Sequence, residues 1–294
     1  MLAPTLVLLV VFFIAPIAVA AYESLFSWDL LTPARSVGLE NYRHLATRGD
    51  LLGIALRTAG YSVLVVSGTI VAGLALALLV HRPGPLFAFV RASVFSAYVV
   101  SWVAVALLWT WLLDGNAGVV GWAMAKLGAA PWPLLGDRRW ALPALAVVGI
   151  WKLTGYAMVV FLAGLHSVPP ALLEAAALDG AGPWRRFRHV VFPLLGPTAA
   201  FVATTSLVTS FQAFDVVRIM TQGGPGRSTE LFVYAIYEQI FLDLSVGRAS
   251  ALTVVFFFVL LLLAGLELYV WRARESASDR ARPARAAPSG PEGR

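Results

Sequence analysis

The chain has no cysteine. Disulfides, thiolate catalysis and cysteine-ligated metals are thereby excluded, although compartment does not follow from that absence. Charge is scarce as well: 13% of the 294 residues are Asp, Glu, Lys or Arg, against roughly a quarter in soluble domains. Lysine is reduced to Lys126 and Lys152. A P-loop needs GxxxxGK[ST], whose glycines admit the phosphates and whose lysine reaches them. Lys126 follows Ala125 and Lys152 follows Trp151, so this chain has no ATP site of that kind. The four histidines, His44, His81, His166 and His189, fall in loops or at the ends of apolar runs. With no paired carboxylates and no nucleophile–base spacing inside those runs, an intramembrane enzyme is disfavoured.

What the chain has in abundance is apolar surface, with 59% hydrophobic residues and a mean hydropathy of +0.79. A spanning helix needs about 20 mostly apolar residues. Six runs meet that length: Leu2 to Ala21, Thr58 to Val80, Ala92 to Leu113, Trp140 to Leu165, Leu194 to Val217 and Ser250 to Val270. The first three contain no charge, and the others contain one each, Lys152, Asp215 and Glu267. The runs are too long for barrel strands and lack period-2 alternation, whereas helices satisfy their own backbone hydrogen bonds in lipid. The expectation is an all-α polytopic membrane protein with six transmembrane helices. The first run has no basic segment before it and is long for a signal peptide, so it reads as an anchor. The net charge of +6 fits basic loops beside anionic headgroups better than nucleic-acid binding.

Six spans put both termini on one side. The loops at 81–91 and 166–193 and the tail from Trp271 then share a face, with 11 arginines in 63 residues. The loops at 22–57, 114–139 and 218–249 share the other, with 10 Lys or Arg in 94 residues. The denser face is the cytoplasmic one by the positive-inside rule. The segment after Val270, rich in Arg, Ala, Ser and Pro, has nothing to bury and is expected to be a disordered tail over 271–294. No internal repeat marks an inverted-repeat secondary transporter.

Between the fourth and fifth runs lies EAAALDGAGPWRRFRHVVFPLL, Glu174 to Leu195. Its charges, its glycines and its prolines prevent it from continuing a lipid-facing helix. Ser167 is positioned to cap a short helix whose first turn holds Pro169 and Pro170, running to Asp179. Ala175, Ala176 and Ala177 give that helix a thin face, and Gly180 permits a sharp reversal. A second helix starts near Pro183 with Arg185, Arg186 and Arg188 before Pro193 opens the next span. On residues alone this is either a docking knob or an ordinary interfacial loop, with alanines following helix propensity and arginines anchoring to headgroups.

The stretch resembles the EAA loop of permease subunits of binding-protein-dependent ABC importers of the type I architecture. That pattern is EAA, three residues, Gly, nine residues, then Ile-x-Leu-Pro. Here it is Glu174, Ala175, Ala176, then Gly180, then Val190-Val191-Phe192-Pro193, with Val190 and Phe192 in place of Ile and Leu. FDVVRIMTQGGPGRST (Phe214 to Thr229), VGLENYRHL (Val37 to Leu45) and FLAGLHSVPPALLEAAALDGA (Phe161 to Ala181) resemble the carbohydrate-type branch, the maltose and glycerol-phosphate permeases, in that family's order.

The resemblance implies a six-span permease domain over 1–270, with a cytoplasmic coupling helix in the loop 166–193. Glu174, Ala175, Ala176, Asp179, Gly180 and Pro193 would couple to an ATPase. It implies a second homologous permease, two ABC ATPase subunits, an extracytoplasmic solute-binding protein and a bacterial cytoplasmic (inner) membrane, with both termini cytoplasmic. ATP and Mg²⁺ would sit on the ATPase partner, with no cofactor on this chain. The solute would be a sugar or related polyol or glycerol phosphate.

Inside the membrane, Lys152 lies about 18 Å into its span at 1.5 Å per residue, where an unpaired ammonium is costly. Asp215 matches it in sign but sits at a depth differing by roughly 12 Å, which argues against a direct pair. As ion-coupling groups the two would instead point to a stand-alone secondary transporter. Tyr98 and Trp102, read as an i, i+4 pair, and Gln212 and Asp215, read as one helical turn apart, are candidate lining of a solute path. Aromatic faces with amide and carboxylate hydrogen bonds suit sugars; packing and interfacial roles are the alternative. Gly223, Gly224 and Pro225 mark a tight outer turn. It serves either as a turn alone or, by resemblance, as a contact for the binding protein or companion permease.

Overall fold

The structure, a computed structural model, describes residues 3–47 and 49–280. Side chains at 267, 268 and 270–280 lie outside that description, and with them that of Glu267, the one charge of the sixth apolar run. Among the described residues, four apolar helices are long enough to cross a membrane without interruption: Ala3–Glu23, Leu51–Val80, Ala141–His166 and Val246–Leu266. Two more spans are bent pairs. Pro85–Val99 meets Trp102–Leu112 at 102°, and Pro183–Leu194 meets Gly196–Phe211 at 61°. With each bent pair taken as one span, the helices fit the six expected spans, and the class is all-α. A two-residue antiparallel ladder, Phe26 with Ser36 and Ser27 with Arg35, closes the hairpin after the first span.

Several boundaries differ from the expected ones. The second span starts at Leu51 rather than Thr58, which brings Arg57 onto the helix. Asp215 does not belong to the fifth span, because that helix ends at Phe211 and a separate one, Asp215–Met220, follows. The last helix runs on to Arg280, so the backbone of 271–280 is helical where a disordered tail was expected. Residues 281–294 lie outside the described residues.

The fourth span is the central element. It packs along the second span, the fifth span and the first half of the third. Close approach is set by glycines: a β-carbon at Gly73 would lie 2.5 Å from that of Ala157, and one at Gly155 would lie 2.4 Å from the Val94 carbonyl oxygen. Small residues at helix crossings are the means by which membrane helices gain contact, since lipid tails are as apolar as leucine. One cluster, with Ala77, Phe161 and Val202, fills the end near the 166–193 loop. A second, with Tyr61, Val105, Leu145 and Val217, fills the opposite end. Lys152 lies on the fourth span between Leu145, of one cluster, and Phe161, of the other. The first span buries no residue within this chain and packs chiefly on the last.

Candidate functional site

Three features occupy the positions singled out in the sequence: an elbow at one end of the bundle, a cleft in its interior and a pinned turn at the other end.

The elbow begins where the fourth span stops. Ser167 Oγ donates to the Gly164 carbonyl at 2.8 Å, so Ser167 closes the preceding helix and is not the cap of the next one. Pro169 takes the capping position in an extended conformation, because Pro170 follows and disfavours the helical region there. The helix Pro170–Leu178 then ends in a Schellman motif. Gly180 N–H donates to Ala177 O at 3.0 Å and Ala181 N–H to Ala176 O at 2.9 Å, with Gly180 at φ +74°. That left-handed residue is the reason glycine is required at this point. None of the nine residues is buried. Glu174, Ala175, Asp179 and Gly180 are exposed, Ala176 is half-buried, and Leu178 is 90% exposed. The chain returns through Pro183–Leu194, in which Pro193 lies within the last segment, Phe192–Leu194. A groove of about 490 Å³ separates the two short helices from the ends of the second and fourth spans, with Leu173, His81 and Phe187 among its walls.

The interior cleft has a volume of about 140 Å³ and brings Trp102, Gln212 and Asp215 together with Thr209. Neither proposed pair lies on a continuous helix. Tyr98 and Trp102 straddle the break between Val99 and Trp102, so they are not i, i+4 neighbours on one face. Gln212 closes one helix and Asp215 starts the next. Tyr98 lies outside the cleft lining and stacks on Tyr156 at 5.1 Å. Lys152, 2% exposed, donates to the carbonyl oxygens of Tyr98 at 3.0 Å, Ala97 at 3.3 Å and Val100. It forms no ion pair with Asp215 among the described residues, in line with the difference in depth expected from the sequence.

The third feature is the turn after Met220. Gly223, at φ +78°, has no room for a side chain, since a β-carbon would come 2.7 Å from the Tyr234 ring. Thr229 Oγ1 bonds to Gly224 O and to Thr221 Oγ1, both at 2.7 Å, and so ties both ends of the Gly223-Gly224-Pro225 segment. Glu230, 1% exposed, accepts from Arg227 at 2.5 and 2.7 Å and from Arg57 at 3.3 Å. The Glu230 hydrogen bond raises the Arg227 guanidinium further above its usual range. Arg57 in turn pairs with Asp50 at 3.0 Å. The turn is therefore fastened to the second span across 173 positions of sequence. Neither Lys152's partners nor Glu230 emerged from sequence reasoning. The signal available for Glu230 was only an acid beside the GGP motif, with no indication of Arg57.

Comparison with known proteins agrees with this architecture. Residues 69–274 match the family model described as the binding-protein-dependent transport system inner membrane component. The sulfoquinovosyl glycerol transport system permease protein SmoG of Agrobacterium fabrum is 31% identical over 94% of this chain and 90% of its own length. The sn-glycerol-3-phosphate transport system permease protein UgpA of Brucella abortus is 32% identical over 91% of this chain and 92% of its own. A chain of a bacterial ABC transporter involved in the import of the acidic polysaccharide alginate superposes with a TM-score of 0.79 over 93% of this chain and 94% of that one. At 22% identity that likeness concerns the fold. The resemblance to the carbohydrate-type branch of ABC importer permeases therefore stands. This chain belongs to the family of inner membrane components of binding-protein-dependent transport systems.

Proposed function

We propose that this chain is one of two membrane subunits of an ATP-driven importer for a sugar or a related polyol or glycerol phosphate. Its elbow would dock on an ATPase subunit and transmit nucleotide-driven closure to the spans. The observation that carries this reading is the helix Pro170–Leu178, which projects with no buried residue and with Leu178 90% exposed. An apolar side chain held out on a rigid two-helix support is suited to filling a partner's pocket. The relatives named for sulfoquinovosyl glycerol and glycerol phosphate support a polyhydroxylated solute. The assembly would contain a second homologous permease, two ATPase subunits holding ATP and Mg²⁺, and an extracytoplasmic solute-binding protein. Both termini and the elbow would face the cytoplasm.

Trp102, Gln212 and Asp215 would line part of the solute path, and Tyr98, stacked on Tyr156 outside that lining, would flank it. Gly223, Gly224 and Pro225 would meet the binding protein or the companion permease. The docking role is tested by Gly180→Pro and Glu174→Lys in detergent-purified complexes. Loss of ATPase association and of solute-stimulated hydrolysis is expected. Full retention of both in either variant overturns the docking role.

A further inference from the structure

Residues 97–102 read Ala-Tyr-Val-Val-Ser-Trp, with neither proline nor glycine, yet the third span turns by 102° within them. Sharp kinks normally trace to proline, glycine or an inserted side chain. Val100 and Ser101 are extended, at ψ 142° and 140°, so the helix ending at Val99 leaves carbonyls without their usual amide partners. The ammonium of Lys152, itself 2% exposed, supplies donors in their place. It has three N–H donors and meets three carbonyls, those of Ala97, Tyr98 and Val100. A cation at a helix C-terminus also matches the negative end of the backbone dipole. The Trp102 ring centroid lies 4.9 Å from the same ammonium, within cation–π range.

We propose that Lys152 is the positioning residue of the translocation cleft: as an internal helix cap it holds the third span broken and sets Trp102 as the cleft wall facing Gln212 and Asp215. The role of the cleft rests on the transport reading given above, whereas the capping role does not. Gly155, one turn further along the same helix, admits the backbone of Val94 and Phe95. The fourth span thus carries both the device that brings the third span close and the one that breaks it.

Because the chain lacks cysteine, Leu86→Cys and Leu108→Cys, both on exposed sites, can be spin-labelled in the intact complex. Backbone separation is roughly 21 Å with the bend and roughly 33 Å for a straight helix at 1.5 Å per residue. Wild-type Lys152 should give the short distance, and Lys152→Met should shift the distribution toward the long one. Lys152→Arg, whose guanidinium reaches the same carbonyls, should restore the short distance. Trp102→Leu should keep it, because the Lys152 N–H donors to the three carbonyls remain. A short distance in Lys152→Met overturns the proposal. If that variant does not assemble, a long distance in Lys152→Arg overturns it instead. The distance depends on no solute, so a failed cap and a failed transport reading give separate results.

Discussion

At the residue scale the most consequential groups are the few charges away from water. Lys152 and Glu230 solve the same problem in different ways. An isolated buried ion is expensive, and it persists only with its hydrogen-bonding capacity filled. Lys152 takes backbone carbonyls on a neighbouring helix, whereas Glu230 takes two guanidiniums, one local and one from the second span. Removing one member of such a set leaves the others uncompensated. Glu230→Ala is therefore expected to lower stability by about 3 kcal/mol, the low end for a buried pair because Arg227 is half exposed. It should be read as a drop in the thermal midpoint of the purified complex. The sequence showed that Lys152 needed a partner, since its depth follows from counting residues. It did not show which partner, because carbonyls carry no sequence signal and any residue could supply them.

At the element scale, legibility follows the chemistry of turns. The Pro170–Leu178 helix and its reversal were readable, since Gly180 is a left-handed position that glycine fills without strain. Ser167 was misassigned because a serine between two helices can cap either, and only the position of the Gly164 carbonyl decides. The third span was read as continuous because nothing local interrupts it. Helix crossings are similarly silent until neighbours are placed. Gly155→Ala would put a methyl group against the Val94 backbone, which cannot yield as a side chain could. It is expected to destabilise by roughly 1–3 kcal/mol. Gly60→Ala on the second span, where a β-carbon meets nothing within 4 Å, should leave the melting midpoint in place or raise it slightly, since alanine favours a helix interior over glycine. Equal behaviour of the two variants would show that the fourth span does not depend on this contact.

At the scale of the whole molecule, the bundle presents two unlike ends. One bears the arginine-rich elbow with Arg185 and Arg188 exposed, and the other bears the pinned turn and the loop with Arg138. The expected orientation follows from the higher density of arginine on the elbow side. In intact cells a membrane-impermeant maleimide should label Arg138→Cys, and should reach Arg188→Cys only after permeabilisation. The reverse pattern would invert the topology and place the elbow away from any cytoplasmic ATPase. The cysteine-free chain supplies the unlabelled background.

The sequence by itself determined the class, the number of spans, the short helices of the elbow and the family pattern. These depend on apolar length, on proline and glycine, and on spacing along one chain, all of which are local. Tertiary structure decided where the third span breaks, what satisfies Lys152, how the GGP turn is fastened and which residues share the cleft. It also decided that the fourth span lies at the centre and the first at the edge. Apolar length alone does not separate those two, because both runs reach the length a span needs whether they face lipid or protein. The difference lies in which atoms of distant segments come within reach, and that is fixed only when the helices pack.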